Sequence, residues 1–386
     1  MEHDSSIGII GAGPAGCACA YFIKKFAPEI NVHLIDYSKP LNTILPTGGG
    51  RCNLANSEFD YKELAKNYPR GEKFLYSIFS RFSTANTLTL FDEIGIKTYA
   101  QEDGRIFPIS NSSKEVREKF LSALKSCNFI KEQALRVDTT SDKKFKVVTD
   151  KNSYKFDKLV YSTGGHNGYD MIKRLGITIV DPSPSLVGLV TEKNLSTLMG
   201  TKLENVYNKN TKMEGDVLFT HFGISGPLTY KISSVFAKSK LPYILEFDLN
   251  RELNDLQDVL NKNPHKQIKN LLGEYIPHKL SEEILKEQDI NPETKCHKID
   301  GKMRDKISDS IHGYRLKILS TKKDGETVTA GGVLLDEISP KTMESRKVSG
   351  LYFCGEVIDV DGFCGGFNLQ NCWSTAYICA CTIVEK

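Results

Sequence analysis

The stretch SIGIIGAGPAGCACAYFIKKFAPEINVHLIDYS, at the start of the chain, limits what this sequence can fold into more than any other feature. An apolar run ending at Ile10 reads as a buried parallel strand, a GAGPAG turn follows, and Cys17 to Phe26 continue with apolar residues at helical spacing. NVHLID then reads as a second strand, which completes a βαβ unit. Its glycines answer three separate demands. Gly11 makes the tight turn, Gly13 lets the backbone approach a pyrophosphate, and Gly16 permits close packing of helix on strand, while the helix N-terminus supplies N–H donors. Asp36, about twenty positions further on, is placed to accept from ribose hydroxyls. The strand before and the helix after make this a dinucleotide fingerprint rather than a glycine-rich turn.

A second glycine cluster lies in LPTGGGRCNLAN, where Gly48, Gly49 and Gly50 carry no side chain and leave room for a flat ligand or another backbone. Arg51 and Asn53 add donors beside it. A helical pattern is expected over 72–94, and Ser113 is expected to cap a helix whose apolar spacing runs Val116, Phe120, Leu121 and Leu124. LRVDTT, KFKVVTD and SYKFDKLVYSTGG read as short strands returning to the nucleotide sheet, the last ending at Gly164 and Gly165. From about Pro184 the texture changes. LVGLVTE, YILEFDL, RLKILSTKK and TVTAGGVLL alternate as strands, and 254–312 is polar, Lys-rich and helix-patterned, which reads as an inserted substrate domain with a helical appendage. Over 251–323 there are 15 Lys or Arg against 12 Asp or Glu, the balance of a solvated helical surface.

The C-terminal stretch SGLYFCGEVIDVDGFCGGFNLQNCWSTAYICACTIVEK holds a strand over Leu351 to Cys354, then Gly355 and Glu356, a loop with Gly365 and Gly366, and a helix from about Leu369. A carboxylate just past a strand end can bind a ribityl hydroxyl. A glycine-led helix N-terminus can stabilise negative charge on a reduced isoalloxazine.

Composition excludes several classes. With 386 residues, 40% hydrophobic and 26% charged, the chain is neither a stapled miniature nor disordered. A net charge of +3 does not by itself imply nucleic-acid binding. The apolar runs fall short of the roughly 18 residues that span a bilayer, and the acidic N-terminus is not a secretory signal, so a cytoplasmic protein without a membrane partner is expected. The 10 cysteines include no CxxC and lie in apolar runs or beside glycines, which favours reduced thiols and no metal site.

The blocks GIIGAGPAG, TGGGRCNLAN, GLYFCGEVIDVDG and GGFNLQNCWST together resemble the flavoprotein family called HI0933-like, or aminoacetone-oxidase-family FAD-binding enzymes. LFTHFGISGP and GRIFPIS resemble two further blocks of that family. The resemblance implies an α/β fold: a Rossmann-like FAD-binding domain, split in sequence, with an inserted β-barrel-like domain and a helical subdomain. The implied boundaries are 1–185 and 336–386 for the FAD-binding domain, 186–250 and 314–335 for the β-rich insert, and 251–313 for the helices. It also implies which residues meet FAD. Gly11, Gly13, Pro14, Ala15 and Gly16 would lie along the pyrophosphate and Asp36 at the ribose. Gly50, Arg51, Cys52 and Asn53 would lie near the flavin, with Gly164 at a strand end beside the cofactor and Val137 passing the adenine. Gly355 and Glu356 would meet the ribityl and pyrophosphate part, and Gly366, Phe367, Asn368 and Leu369 would approach the ring. Two departures stand out: the loop after Gly165 is shorter than the family pattern, and Cys364, expected to be a buried inert thiol, precedes the glycine pair.

Flavin performs the electron chemistry, so no obligatory catalytic triad or metal set is needed. The expected function is an FAD-dependent oxidoreductase passing electrons or a hydride between NAD(P)H or an organic donor and a small-molecule acceptor. With one dinucleotide fingerprint, NADH or NADPH would visit only transiently. Arg51 and His221 are the polar candidates for the catalytic pocket. Two alternatives stay open: a flavin-dependent reductase of an RNA base, with the Lys-rich helical insert holding the phosphate backbone, and a non-catalytic flavin-binding protein.

Overall fold

The computed structural model describes residues 6–165, 167–322 and 328–385. The chain forms two units, Met1–Ser183 with Val328–Lys386 and Pro184–Thr327. The first is built on a five-stranded parallel sheet in the order Leu351–Phe353, Lys158–Tyr161, Ser6–Ile10, Asn31–Ile35 and Asn128–Ile130. Ile7 and Ile9 on the central strand are fully buried, as expected where both faces of a parallel sheet are covered.

Pro14 opens the helix Pro14–Phe26, where its missing N–H costs nothing, and Lys24 and Lys25 complement the dipole at the other end. The C-terminal helix Phe367–Val384 packs along it, with Phe22 and Tyr377 edge to face at 5.1 Å. Trp373, on the same helix, is fully buried and donates to the Leu54 carbonyl at 2.9 Å. Both chain ends are thereby locked into one core; truncating such a tryptophan to alanine costs about 3–5 kcal/mol.

Several expectations change in detail. The helix expected over 72–94 is two helices, Glu72–Phe79 and Thr84–Glu93, because Ser83 and Asn86 form a capping box that starts a new one. The cap of helix Ser113–Ala123 is Ser112, whose hydroxyl accepts from Glu115 N, while Ser113 donates to the Leu45 carbonyl at 2.9 Å. Of the segments read as returning to the nucleotide sheet, only Lys158–Tyr161 does so. Ala134–Thr139, Phe145–Thr149 and Ser153–Phe156 make a separate antiparallel sheet, since short hairpin connections allow only antiparallel neighbours. The strand Val328–Val333, read with the insert, instead pairs with Ile179–Ser185 and belongs to the first unit.

The second unit is a closed six-stranded barrel, in the order Leu189–Thr191, Gly223–Ser225, Met213–Phe219, Lys202–Asn208, Tyr243–Asp248 and Tyr314–Thr321. Along the last strand Tyr314, Leu316 and Ile318 point inward while Arg315, Lys317 and Leu319 are exposed, the alternation a one-sided sheet requires. Leu203, Val217, Phe219, Phe247 and Leu316 fill the interior, where a cavity of only about 10 Å³ remains. The barrel is a packed core, not a ligand pocket. The helices from Leu256–Lys262 to Gly301–His312 continue that core through Leu260, Leu271, Leu280, Ile284 and Ile307. No described helix is long and apolar enough to cross a membrane.

Candidate functional site

The GAGPAG turn leaves the central strand with Gly11 at φ +102°, and the Gly11 N–H donates to the Ile35 carbonyl at 2.9 Å. The neighbouring strand end closes over it. A Cβ on Gly11 would lie 2.4 Å from the Ser162 carbonyl oxygen, and one on Gly16 only 2.0 Å from the Gly11 oxygen. These two glycines are demanded by packing of backbone on backbone. Gly13 differs. It caps the helix with no side-chain acceptor, its φ is −76°, and a Cβ there would meet nothing nearer than the Thr43 hydroxyl at 3.9 Å. The protein has no packing reason to keep Gly13 bare, whereas a pyrophosphate lying on the helix N-terminus supplies one.

Asp36 braces this turn. Its Oδ2 accepts from Ala12 N at 2.7 Å, and its Oδ1 accepts from the Ser38 backbone N and hydroxyl, each at 2.8 Å. A carboxylate offers about four lone-pair positions, so three such bonds leave one for a ligand hydroxyl.

From the other end of the chain, Gly355 reaches the first turn of the N-terminal helix, where a Cβ would fall 2.5 Å from that of Ala15. The Gly355 N–H is held by the Thr375 hydroxyl at 2.9 Å. Glu356 accepts from Thr329 N at 2.8 Å, and a Cβ on Gly164 would stand 4.0 Å from its other carboxylate oxygen. Burial, followed by the charges of Glu356 and Asp359, holds the Tyr169 phenol well above its ordinary pKa, and this hydroxyl has no hydrogen-bond partner among the described residues. A buried donor without an acceptor beside Glu356 is a further mark of a missing polar ligand.

Thr47–Gly50 form a short turn, and a Cβ on Gly49 would meet nothing within 4 Å. Arg51 is folded back onto it: Nε donates to the Gly48 carbonyl at 3.0 Å, and the guanidinium lies 4.1 Å over the Phe107 ring. Cys52 is fully buried, and burial pushes its thiol up to about 12, which makes it inert. With its amide turned to suit its neighbours, Asn53 accepts from Gly366 N at 2.9 Å and donates to the carbonyls of Ala55 and Ile106. It thereby fixes the start of the C-terminal helix. Gly366 itself sits so close that a Cβ would be 2.2 Å from the Ala55 oxygen. Asn368 bonds Gly362 through both its amide atoms at 2.8 Å, the Phe367 carbonyl accepts from Tyr68 Oη at 2.6 Å, and Leu369 is half-buried beside them. This helix has no acidic residue in its first turn, which leaves its positive end available to a negative group.

The glycine-rich turns of both chain ends therefore belong to one cradle, and FAD fits it. The first turn would take the pyrophosphate, and the Gly48–Asn53 turn and the start of the C-terminal helix would take the ring. Other expected residues lie elsewhere. Val137 is buried in the antiparallel sheet, paired with Val147. His221 belongs to the second unit, exposed at a barrel hairpin, with its ring 5.2 Å from that of Phe222. Cys364 is exposed rather than buried, because the loop it heads lies outside the helix core. Arg70 was not singled out from sequence. It grips fully buried Asp361 through two nitrogens and so pins the loop that leads to Gly366. Only the pairing of distant residues reveals it. Among the described residues no cluster of His, Cys, Asp and Glu could hold a metal ion.

The family model for the HI0933-like protein Rossmann domain matches residues 5–382. The chain belongs to the HI0933-like family. Ribosomal RNA dihydrouridine synthase of Haemophilus influenzae is 32% identical over 100% of both chains, and the protein of the same name from Escherichia coli is 30% identical over 98% of each. The 3-dehydro-bile acid delta(4,6)-reductase of Clostridium scindens is 26% identical over 98% of this chain and 99% of its own. A flavocytochrome c3 fumarate reductase shares the fold, with a TM-score of 0.52 and 12% identity, over 100% of this chain and 79% of its own. Family, fold and cradle make this HI0933-like chain a flavoprotein oxidoreductase with an FAD-type Rossmann domain.

Proposed function

We propose that this protein is an FAD-dependent reductase of uridine in ribosomal RNA, converting the base to its dihydro form with NADH or NADPH as donor. The observation that carries the acceptor is the end-to-end similarity to two proteins named ribosomal RNA dihydrouridine synthase, at 32% and 30% identity. The cradle carries the cofactor. Bound FAD supplies two-electron chemistry, taking a hydride equivalent from a donor and passing it to an acceptor. The protein's share is to hold the coenzyme and keep the ring end in one place. Gly13 and the N-terminus of helix Pro14–Phe26 would take the pyrophosphate, Asp36 the ribose, and Glu356 the ribityl hydroxyls. Asn53, Asn368 and the Arg70–Asp361 pair would fix the helix start that faces the ring. Arg51, already satisfied by Gly48 and Phe107, would form a wall of the ring site. Charge alone gave no support to an RNA partner, and the acceptor rests on the relatives.

A second reading follows from the 26% identity to a bile-acid reductase. Both proteins' names describe reduction, and the carbon–carbon double bond of uracil, like that of an unsaturated ketosteroid, is conjugated to a carbonyl. The same cradle would serve an apolar enone. Purified yellow protein, mixed anaerobically with NADH or NADPH, is expected to bleach. On adding an unmodified ribosomal RNA transcript, the colour is expected to return and dihydrouridine to appear in the nucleoside digest by mass spectrometry. Reoxidation by a steroid enone but not by RNA would replace the first reading with the second. Protein that neither holds FAD nor accepts electrons from either donor would end both.

A further inference from the structure

Resting on the RNA reading above, we infer that one rim of the barrel, around Phe222, Lys231 and Lys240, is the surface on which the RNA strand docks. The starting point is a gap in the charge pattern. Between Asp216 and Glu246 the sequence contains no acidic residue, although 48 are spread through the chain, and in that interval fall His221, Lys231, Lys238 and Lys240.

The fold gathers these residues at one end of the barrel. The Lys322 N–H donates to the Gly188 carbonyl at 2.8 Å, and the Phe222 ring covers Gly188, where a Cβ would meet the ring at 2.9 Å. The Lys322 ammonium lies 5.4 Å from the centre of that ring. One residue back, Val187 N donates to the Ser233 hydroxyl at 2.9 Å, which brings in helix Pro227–Val235 and with it Lys231. The chain then runs through Phe236, whose ring is 4.8 Å from Tyr243, and the exposed stretch from Lys238 to Pro242. Val235, Leu241 and Ile244 are exposed on the same segment. Lys231 and Lys240 make no ion pair among the described residues.

Lys231 and Lys240, with no ion pair among the described residues, on a surface that also carries the Phe222 ring and exposed apolar side chains, match a single-stranded nucleic acid. Its phosphates seek lysines, and its bases seek flat or apolar surface. The helical appendage, which the sequence offers as a phosphate-binding surface only in an alternative reading, has acids interspersed among its lysines. Four of its lysines are paired locally, Lys262 with Asp258, Lys266 with Glu274, Lys269 with Glu293 and Lys286 with Glu282. A cleft of about 490 Å³ on the same unit is likewise self-neutralised, with Lys209 and Arg315 each 2.9 Å from Glu246.

The test compares two charge-reversed holoproteins. One carries Lys231→Glu and Lys240→Glu, the other Lys262→Glu and Lys286→Glu, and binding of unmodified ribosomal RNA transcripts is measured over a series of salt concentrations. The rim variant is expected to bind at least about tenfold more weakly, with the salt slope shallower by roughly 1.4–1.8, since each of the two lost phosphate contacts removes roughly 0.7–0.9 from it. Its flavin content, thermal midpoint and reduction by NAD(P)H are expected to match the unsubstituted protein. Rim and appendage variants binding alike would overturn the assignment of the rim. If the unsubstituted protein itself fails to bind or reduce the transcripts, the RNA reading falls, and the docking surface with it.

Discussion

The nucleotide-binding unit and the barrel unit are organised by opposite means. The first is shaped by missing side chains: Gly11, Gly16, Gly355 and Gly366 let backbone meet backbone at separations no Cβ permits, and Gly13 and Gly49 leave open space where the protein itself needs none. The second is shaped by side chains, with a filled interior and a surface where Lys262 and Lys286 pair with neighbouring acids and Lys322 lies over the Phe222 ring. Recognition of a coenzyme common to many proteins can be written in backbone. Recognition of a particular acceptor has to be written in side chains, which is why the cofactor is easier to read here than the substrate.

The sharpest way to break this contrast is to add one methyl group at two neighbouring glycines. Gly16→Ala puts a Cβ 2.0 Å from a backbone oxygen, so a loss of about 3 kcal/mol or more is expected, seen as a large fall in thermal midpoint or as insoluble protein. Gly13→Ala puts it in open space, nearest atom 3.9 Å, so stability of the apoprotein is expected to stay within about 0.5 kcal/mol while FAD affinity drops more than about tenfold through the lost pyrophosphate approach. Equal flavin affinity in Gly13→Ala and the parent would show that the cradle does not hold the coenzyme.

Next in size is Arg70→Ala, which removes the cation from a fully buried carboxylate. Breaking such a pair is expected to cost about 3–5 kcal/mol in denaturant unfolding, with Arg70→Lys recovering only part because the two-pronged grip is lost. A smaller effect is expected from pH. Burial alone would raise the Glu337 carboxyl, but the Lys347 ammonium and the Thr178 side chain and N–H outweigh it and hold it below the usual range. A folded-state pKa below the unfolded one gives stability that is complete above the ordinary carboxylate range and is lost as pH falls through the lowered value. Thermal midpoints of the parent should therefore fall faster on the acid side than those of Glu337→Gln. Smallest of all, neutralising Lys262 or Lys286 should leave the thermal midpoint unmoved, since both side chains are largely exposed. A measurable loss there would mean the appendage charges do more than cancel one another.

Much of the first unit was legible as pattern. The strand ending at Ile10, the helix through Cys17 to Phe26 and the acid at Asp36 are local consequences of apolar period, turn chemistry and spacing, and they stand in the structure as expected, with the helix opening three residues earlier, at Pro14. The errors differ in cause. The pairing of Val328–Val333 with Ile179–Ser185 depends on a partner far away in sequence, which periodicity cannot supply, whereas the break after Phe79 is a local capping signal that the apolar period runs through. Asn53 was expected near the flavin as a donor; the structure shows it tying Gly366 in place, a role visible only once the two ends are side by side.

By itself, then, the sequence determined the strand–turn–helix that can receive a dinucleotide, because bare glycines, a helix N-terminus and an acid act within a few residues of one another. Tertiary structure alone decided that Gly355 would rest on Ala15, that Arg70 would grip Asp361, and that Lys322 would lie over Phe222. Those contacts join residues separated by long stretches of chain, and their free energy exists only after the core between them has closed.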